Sequence, residues 1–117
     1  MKQLLLIFFS VFLFFSCNQN QDRESVFIDP TQCLSNEWDN DWLKTHEYDE
    51  YPATESGRLK IFTDYYEALG VKIYDAYSEW VYDAVCAACS CPTGERYFCT
   101  VSEDDVAFLL NAGFSLN

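Results

Sequence analysis

The sequence predicts a small α+β domain, in which short helices pack around a small sheet and disulfide bonds cross-link the chain. Three observations support this prediction: apolar stripes with helical spacing, a strand pattern at residues 96–101, and five cysteines after residue 30. The alternative is a mainly β fold, because the Tyr, Trp and Val side chains of residues 62–85 also favour strands.

The first predicted helix begins at Asp29-Pro30-Thr31-Gln32 and ends near Lys44 or Thr45. Its start combines a side-chain acceptor at the N-cap, Pro at the first helical position and Gln three residues after the cap. An amphipathic stripe then repeats every four residues, at Leu34, Trp38 and Trp42. The acidic segment 46–56 lacks an apolar period and is predicted to be a loop.

The middle of the chain contains one strand candidate and two helix candidates. Basic and apolar residues alternate over 58–62, which predicts a short strand. A helical stripe ending at Gly70 follows, at Phe62, Tyr65, Tyr66 and Leu69. A second stripe, at Ile73, Tyr77, Trp80, Val81, Ala84 and Val85, predicts another helix, with a pair of aromatic-rich strands as the alternative for 62–85.

The last part of the chain predicts a turn, a strand and a helix. Pro92-Thr93-Gly94 has the composition of a turn, and the strand over 96–101 follows it. Ser102 precedes three acidic residues, which favours a helix start. The final helix carries Val106, Leu109 and Leu110 and ends at Gly113, with Phe114 packing back on its last turn.

The N-terminus has the features of an export signal. Lys2 is followed by a twelve-residue apolar run from Leu4 to Phe15. As a helix this run would cover roughly 18 Å, against about 30 Å of membrane hydrocarbon, so a signal core is favoured over a membrane span.

The segment Phe14-Phe15-Ser16-Cys17 resembles the lipobox of bacterial lipoproteins, in which a small residue stands directly before a cysteine. Phe14 occupies a position where Leu is common. The resemblance implies diacylglycerol on the Cys17 sulfur, cleavage before Cys17 and acylation of the new amino terminus. The alternative is an ordinary secretory signal that leaves Cys17 as a plain thiol.

The expected organisation is therefore a signal peptide at 1–16, a lipidated flexible tether at 17–28 and a single cysteine-stabilised domain at 29–117. After cleavage the chain would keep nineteen acidic and six basic residues, a formal charge of −13. Nucleic acid is excluded as a partner because the basic residues are scattered singly and form no patch to neutralise phosphates. Direct adhesion to anionic lipid is disfavoured for the same reason.

Four of the cysteines, Cys86, Cys89, Cys91 and Cys99, form a C-x2-C-x-C-x7-C array. The favoured interpretation is disulfide cross-linking, because exported proteins keep disulfides. The alternatives are a tetrathiolate metal site and a redox pair at Cys86 and Cys89. Cys33 is expected to tie the first helix to this array, with the exact pairing left open. If Cys17 is acylated, two bridges and one thiol remain; otherwise three bridges are possible.

No other residues predict a catalytic, metal or cofactor site. The acidic runs 37–41 and 103–105 match calcium ligands only loosely and are interpreted as solvated helix ends, and His46 as a surface residue. Tyr48, Tyr51 and either tryptophan could line a recognition surface, and aromatic residues among carboxylates also suit carbohydrate.

We therefore expect a membrane-anchored lipoprotein of the bacterial cell envelope, facing the periplasm or the cell surface. Its role is expected to be binding or structural support without catalysis, with an envelope protein or a glycan as partner. The alternative is a metal-binding or redox protein that uses the cysteine array.

Overall fold

The computed structural model describes residues 22–83 and 86–117 and confirms the α+β prediction. The four strands are β1 (Arg23–Ile28), β2 (Ile73–Trp80), β3 (Glu95–Ser102) and β4 (Ser115–Leu116), and they form one antiparallel sheet in the order β2-β3-β1-β4. The helices are α1 (Glu37–Leu43), α2 (Glu55–Ala68) and α3 (Val106–Asn111), with short 3-10 turns at Tyr48–Glu50 and Glu103–Asp105.

The hydrophobic core lies between one face of the sheet and the helices. The sheet contributes alternate residues such as Val26, Cys99 and Val101, as the two-residue period of a strand requires. The centre of the helical layer is Phe62, which is fully buried. Its ring centroid lies 5.1–6.0 Å from four other rings, those of Trp38, Tyr66, Tyr97 and Phe114.

The opposite face of the sheet carries a row of three aromatic side chains on neighbouring strands. Phe98 lies between Tyr77, on which it stacks at 5.0 Å, and Phe27, at 6.0 Å. The guanidinium of Arg96 lies 4.1 Å above the Phe27 ring and donates hydrogen bonds to both carboxylate oxygens of Asp29. These contacts stabilise the face of the sheet that points away from the hydrophobic core.

The predicted tether is wrong at its C-terminal end, because residues 23–28 form β1. This strand pairs with β3 from Arg23 opposite Ser102 to Ile28 opposite Tyr97, and Val26 is fully buried. The polar side chains at its start suggested a tether, but backbone pairing with β3 does not require apolar side chains there.

The predicted start of the first helix at Asp29 is also wrong. Helix α1 begins at Glu37, and the Asp39 carboxylate accepts a hydrogen bond from the Asn36 backbone N–H at 3.2 Å. Cys33 and Leu34 have positive φ values of 64° and 50°, which an α-helix does not allow. A disulfide from Cys33 to Cys89 fixes this loop against a distant segment. The predicted end of the helix near Lys44 is confirmed.

The strand predicted at 58–62 is wrong, because these residues lie inside α2. The helix begins after Thr54, whose hydroxyl accepts a hydrogen bond from the Gly57 N–H at 3.2 Å. The periodic stripe around Phe62 and Tyr66 is confirmed as helical, and Gly70 follows with a φ of 93°. Helix periodicity therefore prevails over the local alternation of basic and apolar residues.

The helix predicted from Ile73 is wrong, and the alternative of an aromatic-rich strand applies to Ile73–Trp80. This segment is β2, which pairs with β3 from Ile73 opposite Val101 to Trp80 opposite Glu95. Ala76 faces the core, whereas Tyr77 stacks on the other face. Ala84 and Val85 of the same stripe lie outside the described residues.

The predicted C-terminal strand and helix are confirmed, and Phe114 packs on the rings of Tyr66 and Phe62 in α2. Strand β3 is followed by the 3-10 turn and α3, and Gly113 has a φ of 102°. Phe114 is buried, and its ring centroid lies 5.1 Å from that of Tyr66. The chain therefore returns onto the core before β4 pairs with β1.

Candidate functional site

The predicted signal peptide and Cys17 lie outside the described residues, so lipidation remains an expectation. In the described part of the chain, β1 begins at Arg23, six residues after Cys17 in the sequence. Across residues 22–83 and 86–117, no helix has the length and apolar character that a membrane span needs.

Three of the four cysteines in the array form disulfide bonds, as the sequence favoured, and Cys99 does not. Cys33 is bonded to Cys89, and Cys86 is bonded to Cys91. Hydrogen bonds reinforce this junction: the Gln32 Nε2 donates to the Cys86 carbonyl at 2.8 Å, and the Ser35 hydroxyl donates to the Cys89 carbonyl at 2.9 Å. The junction therefore joins the loop before α1 to the segment before β3.

This pairing leaves no thiolate of the four disulfide-bonded cysteines available as a metal ligand. It also separates Cys86 from Cys89, the pair that a redox function would use. Within the described ranges, no group of three or more His, Cys, Asp or Glu side chains is arranged to hold a metal ion.

Cys99 is the one described cysteine outside a disulfide. It lies in β3, is buried in the core, and pairs across the sheet with Val26. Burial raises the pKa of its thiol to about 12. Because the thiolate is the reactive form, this thiol is both inaccessible and unreactive near neutral pH.

His46, Tyr48 and the two acidic runs lie on the surface of the domain or at the starts of helices. His46 is exposed and stacks on Trp42 with a centroid distance of 3.9 Å. Tyr48 is 64% exposed on the first 3-10 turn. The acidic runs lie at helix starts, where Asp105 accepts a hydrogen bond from the Lys72 backbone N–H at 2.9 Å. The Asp105 carboxylate is therefore bound to the backbone directly before β2.

An apolar depression, which we call the interhelical groove, lies between α1 and α2 and has a volume of about 510 Å³. Its apolar lining consists of Trp38, Trp42, Pro52, Ile61, Tyr65 and Ala68. Trp42 is held in place by its stack on His46 and an edge contact with Tyr51 at 5.4 Å. The groove therefore presents aromatic surface whose position is fixed before any ligand arrives.

The rim of the interhelical groove carries two ion pairs, one on each helix. Lys44 pairs with Asp41 at 3.5 Å, and Lys60 pairs with Asp64 at 2.5 Å. All four side chains are more than half exposed. The rim is therefore locally neutral, although the described chain as a whole is strongly acidic.

A second depression, which we call the Trp80 pocket, has a volume of about 290 Å³ and lies where α1 and α2 meet the end of the sheet. Aromatic side chains of Trp38, Tyr51, Trp80 and Tyr97 line it, together with Asp39, Arg58 and Glu95. Arg58 pairs with Glu95 at 3.3 Å, and the Ser78 hydroxyl donates to the same carboxylate at 2.8 Å.

The carboxylate of Asp39 is 1% exposed and accepts hydrogen bonds from neutral donors at both oxygens. Its Oδ2 accepts from the Asn36 side-chain amide at 2.7 Å, and its Oδ1 accepts from the Tyr51 hydroxyl. Burial, followed by the hydrogen bond to Asp39, raises the pKa of Tyr51 far above its ordinary value. Burial raises the pKa of Tyr97 to about 12, so both phenols are neutral at physiological pH.

The sequence anticipated part of this lining and missed the rest. Tyr51 lines the Trp80 pocket and Trp42 lines the interhelical groove, as expected for residues of a recognition surface, whereas Tyr48 lies outside both. Trp80, Arg58 and Glu95 were not singled out. They come from β2, α2 and β3, and no local pattern indicates that these elements converge.

Fold and site together define a small disulfide-linked α+β domain with two aromatic-lined depressions that share Trp38. Comparison with protein-family models, curated proteins and solved structures gave no match for this chain.

Proposed function

We propose that the protein is a lipid-anchored, non-catalytic binding protein of the bacterial cell envelope, and that its interhelical groove binds a neutral glycan. The anchor would be the acylated Cys17, and the domain would face the periplasm or the cell surface. The two disulfides support export, because such bonds persist in oxidising compartments and are rare in the cytosol.

The observation that carries the glycan proposal is the combination of aromatic walls with a neutral polar rim. Sugar rings present apolar C–H faces that pack on aromatic rings such as Trp42 and Tyr65. Their hydroxyls can donate to the carboxylates of Asp41 and Asp64 and accept from the lysine ammonium groups. An acidic glycan would be disfavoured by the overall negative charge of the protein.

The glycan proposal predicts saturable binding that depends on Trp42. We would titrate the protein with neutral hexose and N-acetylhexosamine oligosaccharides and follow the indole N–H signals by NMR. Trp42→Ala is expected to weaken binding at least about tenfold, because truncating a tryptophan at the centre of a binding surface typically costs more than about 1 kcal/mol. Lys60→Met removes rim donors from an exposed position and is expected to weaken binding about threefold.

The matched control is Tyr48→Ala, an exposed aromatic residue outside the groove, which is expected to leave the affinity unchanged. Failure of every neutral oligosaccharide to produce a saturable shift would refute the glycan proposal. So would equal losses of affinity in Trp42→Ala and Tyr48→Ala.

The anchor proposal predicts the mass of the protein extracted from membranes. We expect a chain that starts at Cys17, carries acyl mass and contains two disulfides. Alkylation is expected to add one label, at Cys99, only after unfolding, because burial keeps that thiol protonated and covered.

A folded-state pKa of Cys99 above the unfolded value of about 8.5 also means that the contribution of this thiol to the free energy of unfolding falls as pH rises above about 8.5.

The same measurement distinguishes the alternative function. A lipid-free chain would contradict the anchor. Alkylation of Cys86, Cys89 or Cys91 in the folded, non-reduced protein, or stoichiometric bound zinc, would favour the metal-binding or redox alternative over a disulfide-linked binding protein.

A further inference from the structure

We propose that the Trp80 pocket binds an alkylated ammonium group, such as a quaternary ammonium, carried by a small organic ligand. This site is separate from the interhelical groove, and the inference does not depend on glycan binding. The pocket is formed by side chains of α1, α2, β2 and β3 and by the loop before α1.

The first argument is the fixed charge of the pocket. Its lining includes one cation, Arg58, and two carboxylates, Asp39 and Glu95, so the formal charge is −1. Glu95 and Arg58 form an ion pair at 3.3 Å and compensate each other. Among the described residues, no cationic side chain lies within ion-pair distance of Asp39, and its hydrogen-bond donors are neutral. A buried carboxylate without a counter-charge favours a cation nearby.

The second argument is the aromatic lining. Trp80 is 73% exposed at the end of β2, and its Cε3 atom lies over Gly94. Trp38, Tyr51 and Tyr97 contribute the other rings. The face of an aromatic ring attracts cations, tryptophan most strongly, and rings arranged around a pocket are a common way to bind quaternary ammonium groups.

The third argument is that three of the four carboxylate oxygens in the pocket already accept hydrogen bonds. Both oxygens of Asp39 accept hydrogen bonds, and Glu95 accepts from Arg58 and Ser78. A metal ion would need direct access to carboxylate oxygens. An alkylated ammonium needs no acceptor, because cation–π contacts and the longer-range field of Asp39 suffice. This chemistry therefore fits the pocket better than a metal ion or an anion.

The loop that borders the pocket is held in a conformation that costs energy. Leu34 lines the pocket with a φ of 50°, directly after Cys33 with a φ of 64°. Non-glycine residues in this region are uncommon and often occur near functional sites. The Cys33–Cys89 disulfide and the hydrogen bond from the Thr31 N–H to Asn36 Oδ1 at 2.9 Å keep the loop in place.

The test uses the membrane-extracted protein in a non-ionic detergent and two probes of nearly equal shape. Choline carries the quaternary ammonium, and 3,3-dimethylbutan-1-ol replaces its nitrogen with carbon. We expect choline to bind saturably, with a shift of the Trp80 indole N–H in the NMR spectrum, and the neutral probe to bind at least about tenfold more weakly. This comparison tests the charge without Asp39→Asn, which could disturb the start of α1.

Trp80→Ala tests the aromatic contact at an exposed position and is expected to weaken choline binding at least about tenfold. Tyr48→Ala, outside the pocket, is expected to leave it unchanged. Tighter binding of glycerophosphocholine than of choline would assign the ammonium to a lipid headgroup, and the reverse order to a free cation; both orders support the proposal. No saturable choline binding, equal affinity for the neutral probe, or an unaffected Trp80→Ala variant would overturn it.

Discussion

Replacement of Phe62 with alanine is expected to lower the free energy of unfolding by about 3–5 kcal/mol. The side chain is fully buried, and four aromatic rings pack around it. Alanine would remove the ring from the point where α1, α2, β3 and the C-terminal segment meet, and the surrounding rings could collapse only partly into the space. Because small domains are stable by only about 5–15 kcal/mol, this loss would be a large part of the total.

The matched control is Phe108→Ala on α3, where the ring is 47% exposed. We expect this variant to change stability by less than about 1 kcal/mol. Denaturant unfolding of the two variants, followed by near-ultraviolet circular dichroism, measures the difference. A loss below 1 kcal/mol in Phe62→Ala, or similar losses in both variants, would contradict the central position assigned to Phe62.

Removal of the Cys33–Cys89 disulfide is expected to cost more stability than removal of Cys86–Cys91. The sequence separations are 56 and 5 residues. The chain-entropy model assigns about 4 kcal/mol to the longer loop and about 2 kcal/mol to the shorter one. The longer link also joins the loop before α1 to the segment before β3, so its loss would release the hydrogen bond from Ser35 to the Cys89 carbonyl.

The comparison uses two double variants, Cys33→Ala with Cys89→Ala and Cys86→Ala with Cys91→Ala, so that neither leaves an unpaired partner. Urea unfolding without reductant gives the free energy of each. If both double variants lost the same free energy of unfolding, or if the variant without Cys86–Cys91 lost more, the Cys33–Cys89 disulfide would not restrain the unfolded chain as its loop length implies.

The elements that the sequence predicted well have signals contained within a few neighbouring residues. Gly70 and Gly113 both adopt the positive φ that ends a helix, and Phe114 returns onto the ring of Tyr66 in α2. Strand β3 follows a turn segment and alternates between core and outer face. In each case local chemistry and the final fold favour the same conformation.

The elements that were predicted wrongly depend on partners distant in sequence. Strand β1 exists because it pairs with β3, whose paired residues lie 69 to 79 positions further along the chain. The start of α1 moves to Glu37 because Cys33 is bonded to Cys89. In β2 the same aromatic residues fit both a helical stripe and a strand, and pairing with β3 decides between the two.

For the two candidate sites, too, the sequence predicts the local elements but not which distant residues come together. The interhelical groove includes the tryptophan stripe of α1, which the sequence revealed, and the face of α2 opposite it. The Trp80 pocket brings Asp39 and Glu95 together from positions 56 residues apart, and no spacing rule predicts that approach. Trp38 lines both depressions, so its ring is the common wall between the proposed glycan and ammonium sites.

The interior position of β1 has a mechanical consequence for the proposed lipid anchor at Cys17. Tension that arrives from Cys17 would enter the domain at Arg23, in a strand bonded to β3 on one side and β4 on the other. An edge strand could be peeled away one hydrogen bond at a time, which would lengthen the tether under shear flow. Extraction of β1 instead requires rupture of its pairing with β3 over the whole strand and of its pairing with β4 at Val26 and Phe27, so the distance between membrane and domain would change little under load.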